Sequence, residues 1–517
     1  MGLGGTPAGC DTRSLQDDRR RITPSWPGLI GPPGVTRRLR RPGQALPDAH
    51  IFRGRALPNP AISDSILVSI RGDQRDVDQP GPFWRRTPGK RGAFLLESLL
   101  AAGQSGVCVR RLGGGRAGEI RLTRFLRNPR VTPAEMFATA CQHTLGLAKD
   151  RHVLVIQDTT SLRDDGSTKS LQLHAAIAVD AADGGLLGLM GGTFLRRDKP
   201  IRAHCNKRAL EDKESQRWIE ATRQAASLRQ AGATRVTVIA DREGDIYEEF
   251  ALRPDGVDVL IRVHHDRCLD DGGRLYDCLD DTPELGRETI TLPAAPGRQA
   301  RKATLVLRTG PVRIKRPKRN RAAWAAKLPT FVGLRLVEAK EVDPPPDVPA
   351  VHWRLLTTHS VTNLADARQI TSFYRDRWGI EQVFRVMKTQ GFDIEAVRIE
   401  AVRPFENLAA ATLIAALQVQ QMLHDRDGAA QRPMSDVFDP TDLPAISAVC
   451  ETLEGKTDRQ KNPHAPGSLA YVTWVCARLG GWTGYYRKPG PIVLVRGHLR
   501  LKTMLDGWRI AKDVRIR

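Results

Sequence analysis

The chain has 517 residues, 40% of them hydrophobic, enough for a real core and, at the usual domain size, for two or three domains. With 80 Lys and Arg against 58 Asp and Glu, the formal charge is +22, which points to a polyanionic partner, nucleic acid before a membrane surface, unless a basic tail inflates the sum. No stretch is long and apolar enough for a membrane span, the opening MGLGGTPAGCDTRSLQDDRRR lacks a signal peptide's apolar run, and the cysteines (10, 108, 141, 205, 268, 278, 450 and 476) form no CxxC pair. These features exclude a disulfide scaffold and a zinc ribbon, and predict a cytoplasmic protein with reduced thiols.

Residues 1–85 are rich in Gly, Pro and Arg without a period, so the composition predicts disorder: a basic DNA-binding arm, or the product of a mis-assigned start. From 86 to 150 the text turns helical, with AFLLESLLAAG and TPAEMFATACQHTLGLAKD. HVLVIQD, from 152, is a short β-branched run typical of a strand buried on both faces. LQLHAAIAV and GLLGLMGGTFL flank DAADGG, which predicts an antiparallel hairpin. A charged helix follows over 208–231, stopped by Gly232; then come the buried strand TRVTVIAD, the helix REGDIYEEFAL and a third buried strand, VDVLIRV. This order predicts a mixed α/β sheet over 151–286, resumed at 360–404. Between them, 287–359 reads as an antiparallel β insertion, and 405–517 is largely helical.

Three acids stand out. Asp158 and Asp241 each close an apolar strand, where functional groups of open α/β sheets collect. The third, Glu381, sits in YRDRWGIEQVFRVMK (374–388), where Ile380, Val383, Phe384 and Met387 form an inward stripe. Tyr374, Arg377, Glu381 and Lys388 fall beside it within an arc of roughly 60°. An Asp after a strand is commonly just a turn or helix cap. Two of them plus an aligned phenol, guanidinium, carboxylate and ammonium point instead to phosphate chemistry. Like charges gathered from separate elements need a cation, and oxygen-only ligands suit Mg²⁺ or Mn²⁺. Glu243 and Asp245 read as a solvated first helical turn. His264 and His265, adjacent on a strand, should face opposite ways and share no ion. RIKRPKRNR (313–321) is either a solvated loop or a phosphate contact.

QDTTSL, ADREGDIYE and the spacing Y-x2-R-x3-E-x6-K resemble the DDE transposases of bacterial insertion sequences, and more narrowly the insertion sequence four family with its Tyr-Arg-Glu-Lys signature. RFLRNPRVTPAEM, KESQRW and NPHAPGSLAYVTWVCARLGGWTGYY extend the likeness over roughly 118–517. It fails in the first hundred residues, where the family usually carries a DNA-binding domain. The resemblance implies an RNase H-like core and two metal ions held by Asp158, Asp241 and Glu381. It also implies DNA contacts by Tyr374, Arg377, Lys388 and Arg262. Trp353 matches a family tryptophan that stacks on a flipped base, against the alternative of a ring packed on the β insertion; Trp378 matches another, or is core. The implied activity is cut-and-paste transposition. Water cleaves the element end, the freed 3′ hydroxyl closes a hairpin, is then regenerated and joined to target DNA, and no covalent protein intermediate forms. A helical C-terminal dimer would hold two DNA ends, with the protein on the nucleoid when bound. The alternatives are an RNase H-like nuclease without strand transfer, and a defective, inhibitory DNA-binding derivative.

Overall fold

The computed structural model describes residues 107–515 apart from 165–169, 198–213, 293–298, 319–326 and 347, together with Arg91, Leu95, Leu96, Ser98 and Leu99. The expected disordered segment 1–85 lies outside the described residues, as do the start of the charged helix and the end of the 313–321 basic run.

Helices α1 (Arg116–Arg127) and α2 (Pro133–Gly146) precede the sheet. The second begins where Thr132 accepts the Glu135 N–H at 3.3 Å and Pro133 fills a first-turn position that needs no donor. Strands β1 (His152–Asp164), β2 (Ser170–Asp180) and β3 (Leu186–Arg197) run antiparallel, with the expected hairpin between the last two. Helix α3 (Gln216–Gln230) gives way to Gly232 at φ +94°, a left-handed position suited to glycine. Strand β4 (Arg235–Ala240), the short helix α4 (Tyr247–Ala251) and strand β5 (Val257–Arg262) follow. Strands β6 (Gly286–Leu292), β7 (Arg301–Lys315), β8 (Phe331–Val342) and β9 (His352–Thr357) lead into helices α5 (Leu364–Asp376), α6 (Trp378–Lys388), α7 (Val402–His424), α8 (Leu443–Leu453), α9 (Leu469–Leu479) and α10 (Pro491–Arg515).

All nine strands join one mixed sheet in the order β3-β2-β1-β4-β5-β9-β8-β7-β6. Strands β1, β4 and β5 are parallel, and every other pairing is antiparallel. The four strands of 286–357 are antiparallel among themselves, but they extend the common sheet, because β9 bonds to β5.

Alternation splits the core into two faces. On the front, Leu154, Ile156, Ile239, Leu260 and Leu355 pack with Ile380, Val383 and Met387 of α6 and with α7. On the back, Val155, Val238, Val259 and Ile261 pack with Trp218 and Leu228 of α3 and Phe250 of α4. Two details of the sequence reading change. Strand β1 does not stop at Asp158 but continues to Asp164, because β2 supplies a ladder beyond the point where pairing to β4 ends, at Ile156 and Ile239. Residues 374–388 are not one unbroken helix. Arg377 keeps helical dihedrals (φ −50°, ψ −31°), but its N–H reaches Tyr374 O at 3.3 Å, a three-residue bond that tightens the junction of α5 and α6.

In the C-terminal region α9 and α10 touch backbone to backbone. A Cβ at Gly497 would lie 1.6 Å from Cys476 O. Gly497→Ala is therefore expected to force the two helices apart and cost about 1–3 kcal/mol, read as a lowered urea midpoint at unchanged slope.

Candidate active site

The strand register assembles the first part of the site. Ile156 pairs with Ile239 and Ala240 with Ile261. Continuing those rows sets Asp158 of β1, Asp241 just past β4 and Arg262 of β5 level, all directed to the front face. Helix α6 lies across that face and brings Glu381. One guanidinium joins the acids: Arg377 donates to Asp158 Oδ2 at 3.2 Å and to Glu381 Oε1 at 2.5 Å. The other oxygen of Asp158 accepts the Thr159 N–H at 2.7 Å. Asp241 also behaves as the sequence alternative suggested, capping the turn Arg242–Gly244 through the Glu243 N–H at 2.9 Å.

Charge is crowded here. Burial pushes the Asp158 carboxyl up to about 7, and the neighbouring Asp241 adds to the rise, while Arg377 opposes it. Among the described residues no group of three or more His, Cys, Asp or Glu stands close enough to hold a metal ion; the Arg377 guanidinium lies between Asp158 and Glu381. The donor set is nevertheless oxygen-only, and its buried member is short of positive charge. Asp158, Asp241 and Glu381 thus fit a hard divalent cation in chemistry, with Arg377 as the group to be displaced.

Beside the acids, Tyr374 is buried, its ring 5.7 Å edge-on from Trp353 and 5.9 Å from the Arg377 guanidinium. Trp353 is half-buried against the front core. Arg262 donates to His352 O at 3.3 Å. Lys388, at the far end of α6, pairs with Glu395 at 2.8 Å and is not joined to the carboxylates. Trp378 is half-buried, and its indole N–H has no acceptor among the described residues.

Two readings of nearby residues need correction. Asp245 is not on a solvated turn; it is buried and accepts the N–H groups of His264 and His265 (2.7 and 2.8 Å) and the Arg267 side chain. Those histidines lie past the end of β5, so strand alternation no longer separates them, and their rings meet at 4.6 Å. Glu243 is exposed as expected and pairs with Arg217 at 3.2 Å. Of the basic run, Arg313 pairs with Asp270 at 2.7 Å and Arg316 donates to Leu328 O at 2.7 Å.

Residues 214–418 match the family model of the transposase DDE domain. The match supports a DDE transposase, with nucleotidyl transfer as its chemistry, DNA as its partner and a divalent metal in general use. Asp241, Arg262, Trp353, Tyr374, Arg377, Glu381 and Lys388 fall inside the matched DDE domain; Asp158 precedes it and is tied to it by the β1–β4 register and by Arg377. No helix among the described residues is long and apolar enough to cross a membrane.

Proposed function

We propose that the chain is a cut-and-paste DNA transposase of the insertion sequence four type, with Asp158, Asp241 and Glu381 as its metal-binding catalytic acids. The observation that carries this reading is the level placement of Asp158 and Asp241 on neighbouring parallel strands, with Glu381 held to Asp158 through Arg377. A pair of Mg²⁺ or Mn²⁺ ions, when bound, supplies activation of the attacking oxygen and stabilisation of the leaving one. The chain's own groups do the rest. Arg377, released from two carboxylates, presents a bidentate fork to a phosphate, and Arg262 adds a second guanidinium on the same face. Trp353, packed on Tyr374, offers a ring at the edge of the site for an unstacked base. Tyr374, buried beside Arg377, serves as a DNA ligand and not as a nucleophile. Lys388 meets the strand further along by exchanging Glu395 for a phosphate. On this reading water cleaves the element end, and the freed 3′ hydroxyl attacks the opposite strand to close a hairpin. A second water opens the hairpin and regenerates the 3′ hydroxyl, and that hydroxyl joins target DNA, within a homodimer that holds two ends, on the bacterial nucleoid.

The test uses purified full-length chain, DNA carrying the ends that flank its own gene, and Mg²⁺. Wild type is expected to cut at the ends and to join them to a target plasmid, and Glu381→Ala to bind the DNA without cutting. Cutting without joining would replace this reading with a nuclease. Binding without cutting by both proteins would replace it with an inhibitory DNA-binding derivative.

A further inference from the structure

Behind Asp158, on the opposite side of β1, a group of buried side chains passes hydrogen bonds in a single direction. Because strand side chains alternate, Gln157 and Thr159 point to the back where Asp158 points to the front. The Gln157 amide donates to Glu249 Oε1 and to Thr222 Oγ1, each at 3.3 Å, and its oxygen lies 3.1 Å from His174 Nε2. An amide oxygen only accepts, so Nε2 carries the imidazole proton and Nδ1 is left as an acceptor. The Thr159 hydroxyl donates to Nδ1 at 3.0 Å and itself accepts from Arg217 Nε at 3.3 Å. Gln157, His174, Thr222 and Glu249 are all 2% exposed or less, and Trp218 closes the edge of His174 at 4.6 Å. Burial, with Arg217 nearby, holds the imidazole neutral, its pKa brought down to about 3. A cluster that merely filled space would not need its donors aligned, nor end where it does. Its member nearest the front face, Thr159, gives its own N–H to Asp158 Oδ1 at 2.7 Å.

We infer that His174, Gln157 and Thr159 are positioning residues that fix the stretch of β1 bearing Asp158, and so set how that carboxylate meets a divalent cation. The inference rests on the proposed function for Asp158 as a metal ligand. Its test compares full-length wild type with Thr159→Val, which keeps the shape and removes the hydroxyl, Thr159→Ser, which keeps the hydroxyl, and Gln157→Met. Two readouts are taken: Mn²⁺ affinity without DNA, by electron paramagnetic resonance, and single-turnover cutting of end DNA in Mg²⁺, with DNA affinity measured separately. Thr159→Val and Gln157→Met are expected to weaken Mn²⁺ binding and slow cutting about 10-fold or more, the lower end of what losing a group that orients a metal ligand costs. Thr159→Ser should stay near wild type, and DNA affinity should not move. Equal behaviour of Thr159→Val and wild type, or equal impairment of the Val and Ser variants, would overturn the inference. Should Thr159→Val fail to fold, Gln157→Met decides by the same comparison with wild type. Mn²⁺ binding without DNA cutting by wild type refutes the proposed function while the affinity comparison still decides the inference. No Mn²⁺ binding by wild type removes both.

Discussion

Asp158→Asn is expected to abolish DNA cutting and, in EDTA, to make the protein more resistant to heat. The two effects share one cause. Asp158 is mostly buried, level with Asp241 and close to Glu381, and a single guanidinium serves two of the three acids. Burial and the Asp241 charge both work against its ionised form. The amide keeps the shape, still accepts the Thr159 N–H and removes one buried negative charge, while Arg377 retains Glu381. At pH 8 this should add roughly 2–4 kcal/mol of stability, less whatever the Arg377 contact contributed, seen as a higher Tm. The rate of cutting should fall by at least about 100-fold, the scale on which losing one preorganised charge slows an enzyme. Adding Mg²⁺ should narrow the stability gap, because a cation that binds the wild-type acids stabilises the folded wild type by mass action and the variant much less. A variant no more stable than wild type in EDTA would mean that Arg377 already neutralises the site. A variant that still cuts DNA would remove Asp158 from the catalytic acids.

How much of this was readable beforehand follows from how local each signal is. Asp158 and Asp241 were legible because each follows an apolar β-branched run, and Glu381 because helical spacing aligns it with Arg377. Their assembly was not. That depends on the β1–β4 register and on an Arg377–Asp158 contact between residues far apart in the chain. The continuation of β1 past Asp158 was hidden because TTSLRD has no apolar alternation; β2 holds it, not its own composition. Burial of Asp245 depends on Arg267 and on two amide donors past the end of the next strand, so the local text DREGD read as a solvated turn. His174 and Glu249 gave only a faint signal, a histidine in the apolar run LQLHAAIAV and a carboxylate in YEEFA, and their partners come from β1 and α3. The helical period sets Tyr374 and Lys388 in one row with Arg377 and Glu381, yet one is buried against Trp353 and the other engaged by Glu395, differences that only packing decides.

Glu249→Gln isolates the other buried acid. Glu249 is fully buried on the back face, where Oε1 accepts from Thr222 and Gln157 and Oε2 has no partner among the described residues. Desolvation pushes its carboxyl up to about 7, against the lowering effect of those two hydrogen bonds. For a carboxyl whose folded pKa lies above its unfolded value, the folded state binds more protons between the two, so stability is highest below about 4.5 and is lost as pH rises to about 7. The loss attributable to Glu249 is on the order of 3 kcal/mol. The buried histidines act in the opposite sense. His143, His174 and His498 are held neutral by burial, with values of about 4, 3 and 3, and they lose stability as pH falls below about 6.5. A wild-type stability curve alone therefore mixes the two trends. The difference between Glu249→Gln and wild type removes the histidines, which both proteins share. Gln keeps the acceptor for Thr222 and Gln157 and carries no charge, so the difference should be near zero at pH 4.5, grow in favour of the variant through pH 7 and level off above it. Urea unfolding at pH 4.5, 6, 7 and 8 gives the curve directly. A difference that stays flat with pH would show that Glu249 ionises in the folded protein at its ordinary value, and with it that the back of β1 is open to water.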